Sequence, residues 1–352
     1  MRNYNILHVY RGGYDETKNE LNIMRFFYSS KILLIVAAFC FCTQNVLAQS
    51  RKPTIASLHQ IEGTVNAITA KSPKGRRGIN GMLLFAGDKI NTEVNSKVTI
   101  EYRDGSRVRL FQNSQLLLNF SEEQADSQRT FKYQISLNKG SMRGNFLKGL
   151  QRTIIRTPTA LIRVKGTTVR IKDNDNRATV SLTEGKVEVS NLSSKTILIP
   201  GQWLTDFGRT ADLTKKTETL PNILHLKTFD YELDFRDGKS KQLKFNVQLQ
   251  HNISGESVAR SGLVVFESDY YSIRLPKRFM LDKKGFARVL VGIDPPRLKD
   301  PRFNGLIIIR AFIDQDGFDD VAEGSLVLKI LNVGDKKTLI INPEGKLTKK
   351  NN

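Results

Sequence analysis

The sequence predicts an all-β fold arranged as two consecutive units. Three observations carry this reading. From Ile61 onward apolar residues alternate with polar ones in short runs, the runs are broken by Gly, Asn and Asp, and no stretch keeps a helical 3.6-residue period beyond about two turns.

Ahead of the alternation the chain reads differently. Residues 1–23 carry mixed charge and no apolar period, and are expected to be an over-extended start upstream of Met24. Residues 24–48 have the layout of a secretory leader: a basic stretch from Arg25 to Lys31, an apolar run from Ile32 to Cys42, and Val46-Leu47-Ala48 before Gln49. Cleavage is expected near Ala48. The apolar run is short for a bilayer span, so no integral membrane segment is expected in the mature chain, which is read as periplasmic or cell-surface. Both cysteines, Cys40 and Cys42, fall inside the leader, and Phe39 is too large for the cleavage site of a lipoprotein leader. The mature chain then has no thiol, and its units must stand on hydrophobic cores alone; about 300 residues is ample for two of them.

The 352 residues include 55 Lys and Arg against 35 Asp and Glu. Without residues 1–48 the balance is 50 to 32, or +18. Outside the cytoplasm such a charge meets wall polymers, lipid phosphates and acidic glycans, so nucleic acid is not expected as a partner.

In the first unit, taken as residues 50–205, Val98, Ile100 and Tyr102 share one strand face, and Val108 and Leu110 continue it after a turn. A three-residue loop, Arg103-Asp104-Gly105, sets Ile100 against Val108 and Val98 against Leu110, whereas a two-residue loop would mix the faces. Gly105 supplies the left-handed residue that such a loop needs. By the same logic Val180 and Leu182 match Val189 and Val187 across a two-residue Glu184-Gly185 loop. Lys74-Gly75-Arg76-Arg77-Gly78 reads as an exposed basic loop, and Trp203 as a buried plug at the bottom of this unit.

Between residues 206 and 224 the alternation lapses into Thr, Lys, Asp and Gly, and this segment is expected to be a linker. Beyond it, residues 225–333 alternate again, with Leu243, Phe245, Val247 and Leu249 on one face. About seven short antiparallel strands in that length suit an immunoglobulin-like sandwich without its disulfide. The lysine-rich residues 334–352 are expected to fray as a basic tail.

One ordered set of motifs adds a family. Gly87-Asp88-Lys89-Ile90-Asn91-Thr92, Asp104-Gly105-Ser106-Arg107-Val108-Arg109-Leu110, Ile155-Arg156-Thr157-Pro158-Thr159-Ala160, Val164-Lys165-Gly166-Thr167 and Glu184-Gly185-Lys186-Val187-Glu188-Val189 resemble, in order and spacing, the periplasmic domain of the FecR family over residues 58–204. The resemblance implies a β-domain that engages another protein or an envelope polymer. In founding members that domain follows a cytoplasmic anti-sigma segment and one membrane helix, and relays the occupancy of an outer-membrane receptor. Nothing before Met24 has the length or patterning of such a regulator, so direct control of a sigma factor is not expected. The chain is therefore read as a non-catalytic binding or scaffold module of the envelope, engaging a protein or an anionic polymer. The alternative is a signal-relay component working through a separate membrane partner.

Candidate sites are few. Arg107 and Arg109 share a strand face, as do Arg163 and Lys165, and Arg170 and Lys172. With Arg143, Lys148, Arg152 and Arg156 they are expected to form a solvent-facing cationic plate suited to phosphates or carboxylates. The competing reading makes the same charges ordinary protection of sheet edges. Asp314, Asp316 and Asp319 resemble the first half of a calcium loop, but no Glu closes a twelve-residue loop and no helix follows; no cofactor is expected, with Ca²⁺ as the minor alternative. The mature histidines are His59, His225 and His251, and the pairs Glu122-Glu123 and Asp319-Asp320 sit in turn-like segments. No nucleophile motif accompanies them, so no enzymatic activity is expected.

Overall fold

Alternation becomes two-sided strands. Lys97–Tyr102 and Arg107–Leu110 pair with Val98 opposite Leu110 and Ile100 opposite Val108, which leaves Arg103-Asp104-Gly105 as the loop. All four of those apolar side chains are fully buried. Gly105 takes φ +88°, and the Asp104 carboxylate accepts the Ser106 N–H at 3.0 Å. On the wet face Glu101 and Arg107 stand 3.4 Å apart.

The computed structural model describes residues 54–333 apart from 125–129, 148–150, 269–272, 277, 296–304 and 315–322, together with the short strands Leu339–Ile341 and Leu347–Lys349. The expected over-extended start, the leader and the rest of the basic tail lie outside the described residues. Among the described residues there is no helix long and apolar enough to cross a membrane. Thr54–Asn352 forms one unit by its contacts, and it holds two hydrophobic cores.

The first core lies between two sheets, antiparallel except where Gln151–Arg156 runs parallel to Thr130–Asn145. Sheet A runs Leu83–Leu84, Ala56–Glu62, Lys97–Tyr102, Arg107–Leu110, Thr130–Asn145, Thr168–Asn174, Arg177–Glu184, Gln202–Phe207, Thr217–Thr219. Sheet B runs Ser72–Arg77, Val65–Thr69, Lys89–Thr92, Gln115–Gln124, Thr130–Asn145, Gln151–Arg156, Leu161–Val164, Val187–Ser190, Lys195–Leu198. Thr130–Asn145 belongs to both and passes between them at Gly140, whose φ is +92°. A Cβ there would stand 2.1 Å from the Ser114 hydroxyl, so only glycine allows the bend.

The second hairpin expected from the pattern does not form. Arg177–Glu184 lies in sheet A and Val187–Ser190 in sheet B, where Val187 and Val189 face Val164 and Ile162. Gly185, at φ +87°, carries the chain across, and a Cβ on it would stand 2.4 Å from the Gly166 carbonyl oxygen. The apolar patterns match because both strands line the same core from opposite sheets.

Three further expectations change. Segment 206–224, read as a linker, is structured: Leu213 is fully buried in the first core and Thr217–Thr219 pairs with Gln202–Phe207, while residues 222–224 already belong to the strand Asn222–Lys227 of the second. Its polar composition hides a small number of anchors. The basic loop at 74–78 is mostly an edge strand, Ser72–Arg77. Trp203 is half-buried on the outer side of sheet A, opposite Ser181, while Leu204 and Phe207 fill the core.

The second core lies in a sandwich. Sheet C runs Asn222–Lys227, Lys241–His251, Phe286–Ile293, Ile273–Arg274, and sheet D runs Glu232–Phe235, Gly324–Val333, Leu306–Ile313, Gly262–Ser268, Phe279–Leu281. Leu243, Phe245, Val247 and Leu249 all point into the core, as their alternation requires. Asn222–Lys227 and Glu232–Phe235 lie in different sheets, and Glu232–Phe235 runs parallel to Gly324–Val333 in place of the antiparallel pairing expected.

Candidate functional site

Period-two alternation sends Val108 and Leu110, Met142, and Val169 and Ile171 into the first core, and so sends Arg109, Arg143 and Arg170 to the outer face of sheet A. Register then sets these arginines directly opposite one another on three neighbouring strands. Like charges so placed repel, and water would ordinarily screen them. Here they are 5 %, 1 % and 8 % exposed, because the outer face of sheet D covers them.

The cover carries the counter-charges. Arg143 lies 4.0 Å over the Phe312 ring; its Nη1 donates to Glu267 at 2.7 Å, its Nη2 to Glu323 at 2.6 Å, and its Nε to the second Glu323 oxygen. Arg109 donates to both Asp314 oxygens, at 3.3 and 3.1 Å, to the Gln60 carbonyl and the Thr99 hydroxyl, and to Glu62. Arg170 donates to the Ile313 carbonyl at 2.7 Å. In the reverse sense Arg310 of sheet D donates to Glu184 at 2.7 Å. Lys97 stands 3.5 Å from Asp314, and Arg278 pairs with Glu62.

Burial pushes the Glu267 carboxyl up, but Arg143, with Arg107 and Arg310 near it, pulls it the other way and leaves it below its usual value. Glu62 is lowered in the same manner, burial opposing Arg109 and Arg278. Burial alone would pull the Arg143 guanidinium down; Glu267 and Glu323 raise it above its ordinary range. All three groups therefore stay charged at neutral pH. A buried ion network of this kind adds little net stability over an apolar isostere, yet losing one member strands the others uncompensated, at about 3–5 kcal/mol. Its contribution is orientation, because each guanidinium fork donates to its carboxylate partners in the plane of the fork.

The solvent-facing plate is thus corrected for Arg109, Arg143 and Arg170. The remaining candidates divide between faces. Arg107 is half-exposed beside Glu101, and Lys172 is half-buried on the outer side of sheet A. Arg156 and Arg163 are exposed on sheet B, where Arg163 donates to Glu188 at 2.6 Å, and Lys165 is exposed just past the strand Leu161–Val164. Arg152 lies on a strand of sheet B, but its side chain, like the whole of Lys148, is outside the described residues. Asp314, the first calcium candidate, is fully buried and already neutralised by Arg109 and Lys97; Asp316 and Asp319 fall outside the described residues, as do the side chains of Glu122 and Glu123.

Of the acids that meet the arginine row, Asp314 reads from the sequence only as a calcium ligand, and Glu62, Glu267 and Glu323 carry no motif. A signal existed: Leu306–Ile313 reads Leu-Ile-Ile-Ile-Arg-Ala-Phe-Ile, apolar on both faces, which marks a strand covered on both sides. Also unremarked was the contact between Ser57 Oγ and His59 Nε2 at 2.9 Å.

The motif at 157–160 is a tight turn. Thr157 N–H donates to the Ala160 carbonyl at 2.9 Å, and the Thr157 hydroxyl oxygen accepts from the Ala160 and Thr159 N–H groups. Buried Asp173 accepts from the Thr159 N–H at 3.0 Å and from its hydroxyl at 3.1 Å. Beside this turn an open recess of about 300 Å³ separates it from the 191–194 loop, with Arg156 and Arg209 in its lining.

Residues 88–188 match the family model described as FecR protein. The match lies inside the 58–204 span of the motifs, and the chain carries a FecR domain there. No curated protein matches the sequence. Among solved structures, two crystal structures of a putative anti-sigma factor from Parabacteroides distasonis ATCC 8503 are similar at 20 % identity and a TM-score of 0.30, over 37 % of this chain and 59 % of theirs. A glycosyl hydrolase family 2 member from Bacteroides cellulosilyticus DSM 14838 is similar at 13 % identity and a TM-score of 0.23, over 44 % of this chain and 24 % of its own. The chain thus spans under two thirds of each of these proteins, and likenesses at such scores carry nothing about fold or activity over to it.

Proposed function

We propose that this chain is an exported, non-catalytic binding or scaffold module of the bacterial envelope whose FecR domain engages another protein. The observation that carries the reading is the division of the cations. The arginine row that would best have suited an anionic polymer is committed to carboxylates and a backbone carbonyl of the molecule itself, whereas two of the cations left exposed, Arg156 and Arg209, flank a recess with apolar neighbours. The leader layout and the FecR match support the envelope assignment. Histidine placement supports the non-catalytic part: His225 and His251 are exposed on strands of sheet C, and the Ser57–His59 contact lies within one strand.

Crosslinking in intact cells, followed by identification of the attached molecule, tests this. A protein is expected, with capture reduced but not abolished at raised salt, since screening weakens exposed charge contacts. Attachment to wall polymer alone, or to nothing, would refute it.

A second reading, a signal-relay component acting through a separate membrane partner, is favoured by the FecR match itself. It expects deletion of the chain to change transcription driven by one alternative sigma factor, and an unchanged transcript profile removes it.

A further inference from the structure

We propose that the recess between the Thr157–Ala160 turn and the 191–194 loop receives an extended, carboxylate-bearing segment of a partner protein. This rests on the binding-module reading and names the chemistry of the partner. Arg156 and Arg209 are both exposed on its lining, no carboxylate lines it, and neither arginine has an acidic partner among the described residues. The contrast with Arg143, which holds two carboxylates, is complete. Two open guanidinium forks bordering one recess suit carboxylates better than any neutral group.

The walls are built in advance. Asp173 ties the turn as described, and the Asn191 side chain ties the loop: its oxygen accepts from the Ser193 and Ser194 N–H groups at 3.0 and 2.9 Å, and its nitrogen donates to the Gly208 and Ala211 carbonyls at 3.2 and 2.8 Å. Leu192 N–H donates to the Arg209 carbonyl at 3.0 Å, which fixes that arginine's backbone against the loop. A guest therefore meets a site whose backbone is already ordered, which lowers the entropic cost of binding.

The rim selects a peptide over a plain polyanion. Leu192 is 76 % exposed, and the strand leaving the loop, Lys195–Leu198, is the last of sheet B, paired on one side only among the described strands. Ile197 and Ile199, 48 % and 53 % exposed, follow at alternate positions. Open edges are usually guarded by charge, bulges or proline; here Lys195 opens the exposed face and Pro200 follows it, and between them Ile197 and Ile199 leave an apolar stretch that an added strand would cover. Phosphate or a uronic acid chain would satisfy the arginines and leave these side chains wet.

Fluorescence anisotropy on the whole mature chain tests the proposal, with a labelled peptide of alternating Asp and Val as the probe. Controls replace Asp by Lys, or Val by Ser, and inorganic polyphosphate serves as a competitor. The Asp–Val peptide is expected to bind, with affinity reduced about tenfold or more by Arg156→Glu combined with Arg209→Glu and reduced again by Leu192→Asp. Both variants change exposed positions and are expected to keep the wild-type melting curve. Equal binding of the Lys–Val peptide, or undiminished binding by the double variant, would overturn the proposal. So would polyphosphate displacing the peptide with the Asp–Ser peptide binding as well as Asp–Val, which marks a polyanion site. Failure here is separable from failure of the module reading: a protein captured equally by wild type and double variant in cells refutes the recess alone.

Discussion

Arg143 and Arg209 stand on the same unit, and their circumstances are opposite. Arg143 is 1 % exposed, stacked on Phe312 and held by two carboxylates; Arg209 is exposed on a recess that no carboxylate lines among the described residues. Alternation speaks to Arg143 alone, since it settles which face of a sheet a residue takes, and Arg209 sits in the turn after Gln202–Phe207. What covers the face comes from a segment more than a hundred residues away, and that segment separates a structural ion from an available one. The number of arginines on a β-sheet is therefore a poor guide to its binding surface unless the facing strands are known.

The widest gap between the two classes should appear in stability. Arg143→Ala leaves Glu267 and Glu323 buried without a partner, and urea unfolding is expected to show a loss of about 3–5 kcal/mol. Arg143→Met together with Glu267→Leu and Glu323→Leu should recover most of it, because an apolar replacement of the whole network removes the stranded charges. Asp314→Asn should cost less, about 2 kcal/mol, since Arg109 loses charge-assisted bonds but keeps Glu62.

Acid should separate the classes next. Glu267 and Glu62 have lowered values in the folded chain, so the stability they contribute is present above about 4.5, where an ordinary glutamate titrates, and is lost as pH falls through their folded values. Melting followed from pH 6 to about 3 should show that loss in the wild type, and a shallower slope in the apolar triple replacement. The smallest effect belongs to the exposed pair: Arg163→Ala breaks a bond to Glu188 but should change stability by about 1 kcal/mol or less. Chemical denaturation of the two single variants, Arg143→Ala and Arg163→Ala, sharpens the comparison directly.

Local relations were legible in the sequence. Register at Val98–Leu110 and Ile100–Val108 followed from two apolar faces and one permissive glycine, because neighbours in sequence were neighbours in the sheet. Where the chain leaves one sheet for the other, the same reasoning misplaced the partners: Val180 and Leu182 share a core with Val187 and Val189 without sharing a ladder. Leu213 and Leu220, both fully buried within a polar stretch, were too sparse to outweigh its composition. The arginine row itself was visible as alternation, and its burial was not, since Glu267, Glu323 and Asp314 become its partners only when sheet D packs against it. The recess is a different case, because loops 157–160 and 191–194 meet through sheet register and no sequence spacing marks the meeting.

Arginine-specific labelling of the native mature chain with phenylglyoxal, read by mass spectrometry site by site, tests the central division most directly. Arg156 and Arg209 should react readily while Arg109, Arg143 and Arg170 stay protected until the chain is unfolded. Labelling of Arg143 at the rate of Arg209 in the folded protein would contradict the account.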